Sequence, residues 1–410
     1  MPNFSVPDSV FEQAASAYPT PFYLYDETGI RQRARKVQKA FAWNEGFKEY
    51  FAVKALPNPS ILKILIEEGC GLDCSSETEL LIAEKIGCRG NDIMFSANAM
   101  PPEEFTLARH MGAIINLDDI SDIDTLKDNG GIPEKISIRL NPGGSIDEDA
   151  TIMGEPKEAK FGWMPSQLKV GLSKLKSLGV KRFGLHAMLA SNTRLGDYYP
   201  KLCRFLLKEG LKWEEETGLS FEFINLSGGI GIPYRPNERA LNILDVGAMV
   251  QNEYKKVLGK RNNIRIYSEM GRYMTGPFGF LVTRAMHLKE TYKTFLGLDA
   301  CAANLMRPAI YGSYHHITVC GKQNAPADTL YDVTGALCEN NDKFAVNRML
   351  PKVDMGDILV IHDAGAHGHA MGYQYNGRLR SAEILYTTKG DYRLIRRAET
   401  PEDYFATMVF

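Results

Sequence analysis

No apolar run in this chain of 410 residues approaches the length of a membrane span. Neither sign of charge is in excess, since 48 Lys and Arg against 50 Asp and Glu leave a formal net charge of −2. The first absence gives no candidate transmembrane helix, which needs about 20 consecutive apolar residues. The second removes the electrostatic reason to expect nucleic acid or an anionic membrane as a partner. The opening stretch, MPNFSVPDSVFEQAAS, lacks a basic segment followed by an apolar one, so no secretory signal is expected. Cysteine is scarce and scattered: seven residues, at 70, 74, 88, 203, 301, 320 and 338, odd in number and without paired metal-ligand spacing. Free thiols in a reducing cytoplasm are the simplest account, and no metal site is expected. His315-His316 does not change this, because neighbours on a strand point to opposite faces. Low-complexity segments and short internal repeats are absent too. What is present, 44% hydrophobic and 24% charged residues, suits a globular chain of about two domains.

From about residue 29, short β-like runs alternate with amphipathic helices. GIRQRARKVQKAFAW sets Ile30, Ala34, Val37 and Phe41 on one helical face with basic residues opposite. The candidate strands are EYFAVKAL (49–56), GLDCSS (71–76), IMFSA (93–97), AIINLDD (113–119), KISIRLNP (135–142), RFGLHAML (182–189), EFINLSGG (222–229) and IRIYSEMG (264–271). Eight such repeats predict an α/β fold, a closed parallel (β/α)8 TIM barrel over 25–271, near the roughly 250 residues typical of that fold. A doubly wound open sheet is the rival. After about residue 272 the helical periodicity fades, and GFLVTRAMHL, TYKTFLGLDA, HHITVCG, DILVIHD and SAEILYTTK read as strands. They predict a mostly β domain over 272–410, joined by the N-terminal segment 1–24.

The polar exceptions fall near the C-terminal ends of the expected barrel strands, where such barrels build their sites. Lys54 ends the first strand, Asp73 lies in the second, Asn98 follows the third, Arg139 is in the fifth and His186 in the sixth. SGGIG belongs to the seventh and Glu269 to the eighth. A lysine buried in a strand is costly unless its pKa shifts or its amine bonds covalently, as with an aldehyde cofactor. Glycines allow close backbone approach to a phosphate. A carboxylate can hold the proton of a pyridine ring that draws electrons from a carbanion. Each has a plain alternative: a lysine reaching solvent, a tight turn, a carboxylate paired with Arg272. Together the three point to pyridoxal phosphate.

These motifs resemble the fold-type III pyridoxal-phosphate-dependent decarboxylases, most closely the diaminopimelate decarboxylase group, from PTPFYLYD (19–26) to the C-terminal region. The resemblance implies a TIM barrel with an alanine racemase-like β domain. FAVKALPNP is similar to the family's lysine motif, making Lys54 the cofactor-bearing residue. GLDCSSETEL implies Asp73 and Glu79 near the cofactor, and SGGIGIPY implies Gly228, Gly229 and Gly231 at the phosphate. SEMGR resembles a glutamate–proline–glycine–arginine motif with Met270 in place of proline. Glu269 would then face the pyridine nitrogen, and Arg272 the phosphate or substrate. DACAANLMRPAIYGSYHH implies Arg307 and Tyr311 as carboxylate ligands. LCENND implies Cys338 as the acid near the carbanion and Glu339 at the distal end of the substrate. In the family that loop comes from the partner subunit, which implies a homodimer with shared active sites. AMGYQYNGRLRSAEIL resembles the family's final motif, which implies Tyr375 near the cofactor phosphate and substrate.

The departures are specific. Aligning FGLHAMLASN so that Ser191 matches the family's serine puts Met188, not a histidine, at the ring-stacking position. His186 shares Met188's face of a strand, so either could cover the ring, and His186 could equally be a core histidine. His367 stands where many relatives have tyrosine, and Asn340-Asn341 replaces a serine–glycine pair. Arg307 and Glu339 could be structural ion pairs, Cys338 a small apolar residue, and Tyr373 and Tyr375 packing residues at a subunit contact. The expected reaction is decarboxylation of meso-diaminopimelate to L-lysine. A decarboxylase of ornithine, D-lysine or arginine on the same scaffold, a regulatory homologue without catalysis, and a racemase remain as alternatives.

Overall fold

The computed structural model describes residues 6–143 and 158–410. They divide into two compact units: one of residues up to Arg31, Pro233–Arg239 and Thr275–Phe410, the other of Gln32–Ile232 and Ala240–Met274. In the second unit eight parallel strands close into a barrel in chain order, numbered here after β1 (Phe22–Asp26), which lies in the first unit. They are β2 (Lys48–Ala52), β3 (Gly71–Cys74), β4 (Ile93–Ser96), β5 (Ile114–Leu117), β6 (Lys135–Arg139), β7 (Arg182–His186), β8 (Ser220–Asn225) and β9 (Arg265–Ser268). All eight expected strands are present, and β2 pairs with β9 to close the ring through Glu49 and Ser268, so the open-sheet rival is excluded.

The strands read as apolar runs because both faces are covered, inside by the barrel core and outside by helices. Tyr50, Met94, Ile114, Phe223 and Tyr267 pack as one buried cluster inside the ring. Outside, the helix Pro59–Glu67 starts at Asn58, whose side chain accepts from the Ser60 N–H, with proline in its first turn. It buries Ile61, Leu62, Ile64 and Leu65. The longest helix, Tyr198–Thr217, stops at Gly218, which takes the left-handed conformation at φ 69° that glycine adopts without steric cost.

The other unit is a twisted sheet built from β10 (Gly279–Glu290), β11 (Thr294–Leu298), β12 (Ile317–Val319), β13 (Thr329–Thr334), β14 (Lys343–Leu350), β15 (Ile358–Ile361), β16 (Ala382–Tyr386) and β17 (Tyr392–Arg396). β1 is central to it, antiparallel to β10 and parallel to β16. Its core combines Phe22, Leu24, Phe280, Val282, Val360 and Ile384 with Val10, Phe11 and Ala14 of the first helix, Asp8–Ala17. No helix of the described residues is long and apolar enough to cross a membrane.

Close helix packing in the barrel unit gives a stability test. Gly247, on the helix Ile243–Leu258, has no room for a side chain: an added Cβ would lie 2.2 Å from the Ala40 carbonyl oxygen. Backbone cannot rotate away as a side-chain tip can, so Gly247→Ala must push two helices apart. It is expected to cost about 1–3 kcal/mol despite alanine's better helix propensity. Urea unfolding measures this, and an unchanged or raised midpoint would contradict the packing.

Candidate active site

The lysine turn is set by the end of β2. Residues Val53–Ala55 form a single 3-10 turn, closed by the Leu56 N–H donating to the Val53 carbonyl (3.0 Å). The expected strand over 49–56 therefore ends at Ala52, because the chain must turn out of the barrel to reach Asn58 and its helix. The premise of a buried lysine is also corrected: the Lys54 side chain is 51% exposed. Its Nζ lies 4.0 Å from Asp73 Oδ2 on β3. Small residues bring this turn against the end of β9, since a Cβ on Gly271 would sit 2.6 Å from Ala55 Cβ and 3.3 Å from Ala52 Cβ.

Glu269, just past β9, is buried and held by three side chains. His186 Nε2 lies 2.9 Å from its Oε2, Ser227 Oγ donates to Oε2 (3.0 Å), and Asn225 Nδ2 donates to Oε1 (2.7 Å). Burial alone would raise its pKa, but His186, Lys54 and Ser227 outweigh that and hold it down to about 2, so it is ionised at neutral pH. A carboxylate has about four lone-pair positions. Oε1, with one donor, keeps capacity for another.

Asp73 behaves oppositely. Burial and the neighbouring Glu269 charge push its carboxyl well above the usual range, with Lys54 opposing. Its Oδ1 is buried without a hydrogen-bond partner among the described residues. Glu79 accepts from the Ser75 N–H (2.7 Å) at the start of the helix Glu77–Lys85, and its pKa is raised by burial.

The glycine loop after β8 is pinned against residues 190–193. The Gly231 N–H donates to the Thr193 carbonyl (2.7 Å) and the Thr193 N–H to the Gly229 carbonyl (2.9 Å). A Cβ would lie 2.8 Å from the Glu269 carbonyl at Gly228, 2.9 Å from the Ala190 carbonyl at Gly229 and 2.6 Å from Asn192 at Gly231. Backbone packing alone thus demands glycine at all three. Ser191 and Met188 lie in the half-buried segment after β7, while His186 is committed to Glu269. Arg139, at the end of β6, is ion-paired with Asp118 (3.1 Å), and its guanidinium carbon lies 4.3 Å from the Phe161 ring centre. Arg272 opens the short turn Arg272–Thr275 and is half-buried.

The remaining candidates lie in the strand-rich unit. Arg307 begins the short helix Arg307–Tyr311 and donates to Ser313 Oγ (3.2 Å), with Tyr311 exposed. Cys338 is an exposed free thiol whose backbone N–H donates to Asn376 Oδ1 (2.7 Å), which ties its loop to the neighbour of Tyr375. Glu339 Oε1 accepts from the Asn341 N–H (3.0 Å). Buried Asp342 fastens this loop by accepting from the N–H groups of Ala302 (2.7 Å) and Leu337 (2.8 Å). His367 has a left-handed backbone at φ 54°.

Sequence reasoning missed Asn225, Ser227, Asp118, Asp342 and Asn376. Asn225 carried a signal, as a polar residue in the apolar run FIN, and Ser227 stood inside the motif read for its glycines. The others act through partners distant in the chain. Among the described residues no group of three or more His, Cys, Asp or Glu could hold a metal ion.

Comparison with known proteins places this arrangement. Residues 27–276 match the family model described as the pyridoxal binding domain of pyridoxal-dependent decarboxylases. Protein TabA of Pseudomonas amygdali pv. tabaci is 41% identical, over 96% of this chain and 92% of its own length. Diaminopimelate decarboxylase of Methanothermobacter thermautotrophicus is 35% identical, over 95% of this chain and 92% of its own. Among solved structures, diaminopimelate decarboxylase from M. jannaschii in co-complex with L-lysine superposes with a TM-score of 0.91 at 28% identity, covering 98% of this chain and 94% of that one. A barrel with an accessible lysine beside an ionised, buried glutamate, matched over nearly its whole length, belongs to the pyridoxal-dependent decarboxylase family, and pyridoxal phosphate is its cofactor.

Proposed function

We propose that the chain converts meso-diaminopimelate to L-lysine and carbon dioxide, working as a cytoplasmic homodimer whose active sites are shared between subunits. The observation that carries the chemistry is Glu269, a buried carboxylate kept ionised with acceptor capacity left on Oε1. The full-length relatives named diaminopimelate decarboxylase support the substrate. The cationic side chains Arg272 and Arg307 suit a substrate bearing a carboxylate at both ends.

Bound pyridoxal phosphate supplies the electron sink that lets the bond between the substrate's α-carbon and its carboxylate break. Lys54 would hold the cofactor through its amine, and its half-exposed side chain leaves that amine open to an incoming substrate. Glu269 would hold a proton at the ring nitrogen, with His186 fixing its carboxylate. Gly228, Gly229, Gly231, Arg272 and Tyr375 would hold the phosphate. Asp73, Arg139, Met188 and Ser191 would complete the cofactor's surroundings, Arg139 by way of its pairing with Asp118. Arg307 and Tyr311 bind the distal carboxylate and Glu339 the distal ammonium, a charge-assisted contact. Cys338, or Lys54, delivers the proton that replaces the lost carboxylate.

Four measurements test this. Borohydride reduction of the loaded protein followed by peptide mapping is expected to place the pyridoxyl group on Lys54; an adduct elsewhere, or none, removes the enzyme reading. Carbon dioxide release should be greatest from meso-diaminopimelate among a set that includes both lysine enantiomers, ornithine and arginine. Arg307→Ala should then cut kcat/KM for diaminopimelate by about 10- to 100-fold, the worth of a hydrogen bond to a charged group, while sparing any residual lysine turnover. Equal losses on all substrates would refute the role of Arg307. Finally, mixing inactive Lys54→Ala and Cys338→Ala proteins should restore turnover if each site draws on two subunits, and no recovery after verified subunit exchange would refute shared sites.

A further inference from the structure

Glu49 is a fully buried carboxyl in the barrel wall that the roles above do not use. It stands on β2 in register with Ser268 of β9. One of its oxygens receives the Ser268 hydroxyl, and the other receives the Met270 N–H (2.6 Å). These two donors flank Glu269, whose own N–H donates to the Ser227 carbonyl (2.7 Å). Three consecutive residues are thus tied down by bonds reaching β2 and the loop after β8. Met270 is itself buried, so its N–H needs an acceptor within the protein. A proline, which the related motif carries here, has no N–H to satisfy.

We propose that Glu49 is a positioning residue for Glu269, and that it forms a functional pair with Met270: its carboxyl takes up the N–H that methionine brings and fixes the 268–270 turn that aims the Glu269 carboxylate. The effect on turnover rests on the role given to Glu269 above; the clamp itself does not. Burial, opposed by its two hydrogen bonds, pushes the Glu49 carboxyl well above the usual range, and the Glu269 charge adds to this. Burial and the Glu269 charge thus oppose ionisation at 49, whereas Glu269 is held ionised.

The test compares Glu49→Gln, Glu49→Met, Met270→Pro and the double variant Glu49→Met/Met270→Pro. It reads kcat and KM, the absorption spectrum of the pyridoxal-phosphate-loaded protein, and the unfolding midpoint of the cofactor-free protein. Glu49→Met strands the Met270 N–H and is expected to lower kcat by about tenfold, the scale of an unsatisfied buried donor. KM should change little, the spectrum should shift and the midpoint should fall. Glu49→Gln, which keeps an acceptor, should retain most of the rate. Adding Met270→Pro to Glu49→Met should recover much of both kcat and midpoint. Strictly additive losses, or a glutamine variant as impaired as the methionine one, would overturn the pairing. A lower midpoint with kcat and spectrum unmoved would overturn the positioning role. Full turnover in Glu269→Gln would instead remove the role given to Glu269, leaving the clamp to be judged by the midpoints of the cofactor-free variants.

Discussion

A carboxylate taken out of water costs several kcal/mol unless the protein replaces its hydration with well-placed donors, and Glu269 is that carboxylate here. Its three side-chain donors come from the end of β7, the end of β8 and the loop that follows. The demand reaches further. Ser227 presents its hydroxyl from a left-handed backbone at φ 52°, a conformation costly for a residue other than glycine. The Tyr199 hydroxyl holds Ser227 there by donating to its carbonyl (2.6 Å). The long helix that carries Tyr199 is thereby coupled to the charge at the barrel rim, and the glycine loop begins from this fixed point. One ionised group therefore organises the ends of three strands.

Much of the barrel was legible because of how a parallel sheet is solvated. Covered on both faces, each strand needs an unbroken apolar run, and the eight runs stand out between helices with polar outer faces. The polar exceptions Asp73, His186 and Glu269 could be recognised because they interrupt runs that have no other reason to contain them. That the N-terminal segment joins the strand-rich unit was expected, but where β1 pairs within its sheet was not legible in the same way. FYLYD resembles any buried strand, and its neighbours, Phe280 opposite Leu24 and Ala382 beside Phe22, lie more than 250 residues away in sequence. Pairing at such separations is chosen by the assembled core and leaves no local mark.

The same limit explains the missed residues of the strand-rich unit. Asp342 looks like an ordinary loop aspartate in ENND, yet it closes the loop bearing Cys338 and Glu339 onto the backbone at Ala302. A Cβ at Gly335 would lie 2.4 Å from an Asp342 oxygen, so the glycine and the aspartate are matched. Asn376 likewise reads as a turn residue and takes a left-handed backbone at φ 52°, while its side chain accepts from the Cys338 N–H. Motif resemblance located the two segments, and hydrogen bonding shows how they meet. The resemblance attends to side chains that face a ligand, whereas these two face the backbone.

The exposure of Lys54 changes the reason for its importance. A strand lysine would have needed a special use to justify its burial, but this one sits in a turn and has no such cost. What singles it out is the company it keeps. Its charge favours ionisation of both Asp73 and Glu269, yet burial and the Glu269 charge leave Asp73 raised well above its ordinary range, while His186 and Ser227 help hold Glu269 down. Two acids whose environments push their pKa values apart have distinct chemical roles. Asp73, its carboxyl raised by burial and its Oδ1 without a hydrogen-bond partner among the described residues, takes up a proton more readily than an ordinary aspartate. Glu269, ionised at neutral pH with acceptor capacity left on Oε1, can hold a proton on a neighbouring base. The lysine stands where both effects converge, reachable from solvent, and reachability rather than burial is what covalent chemistry at its amine requires.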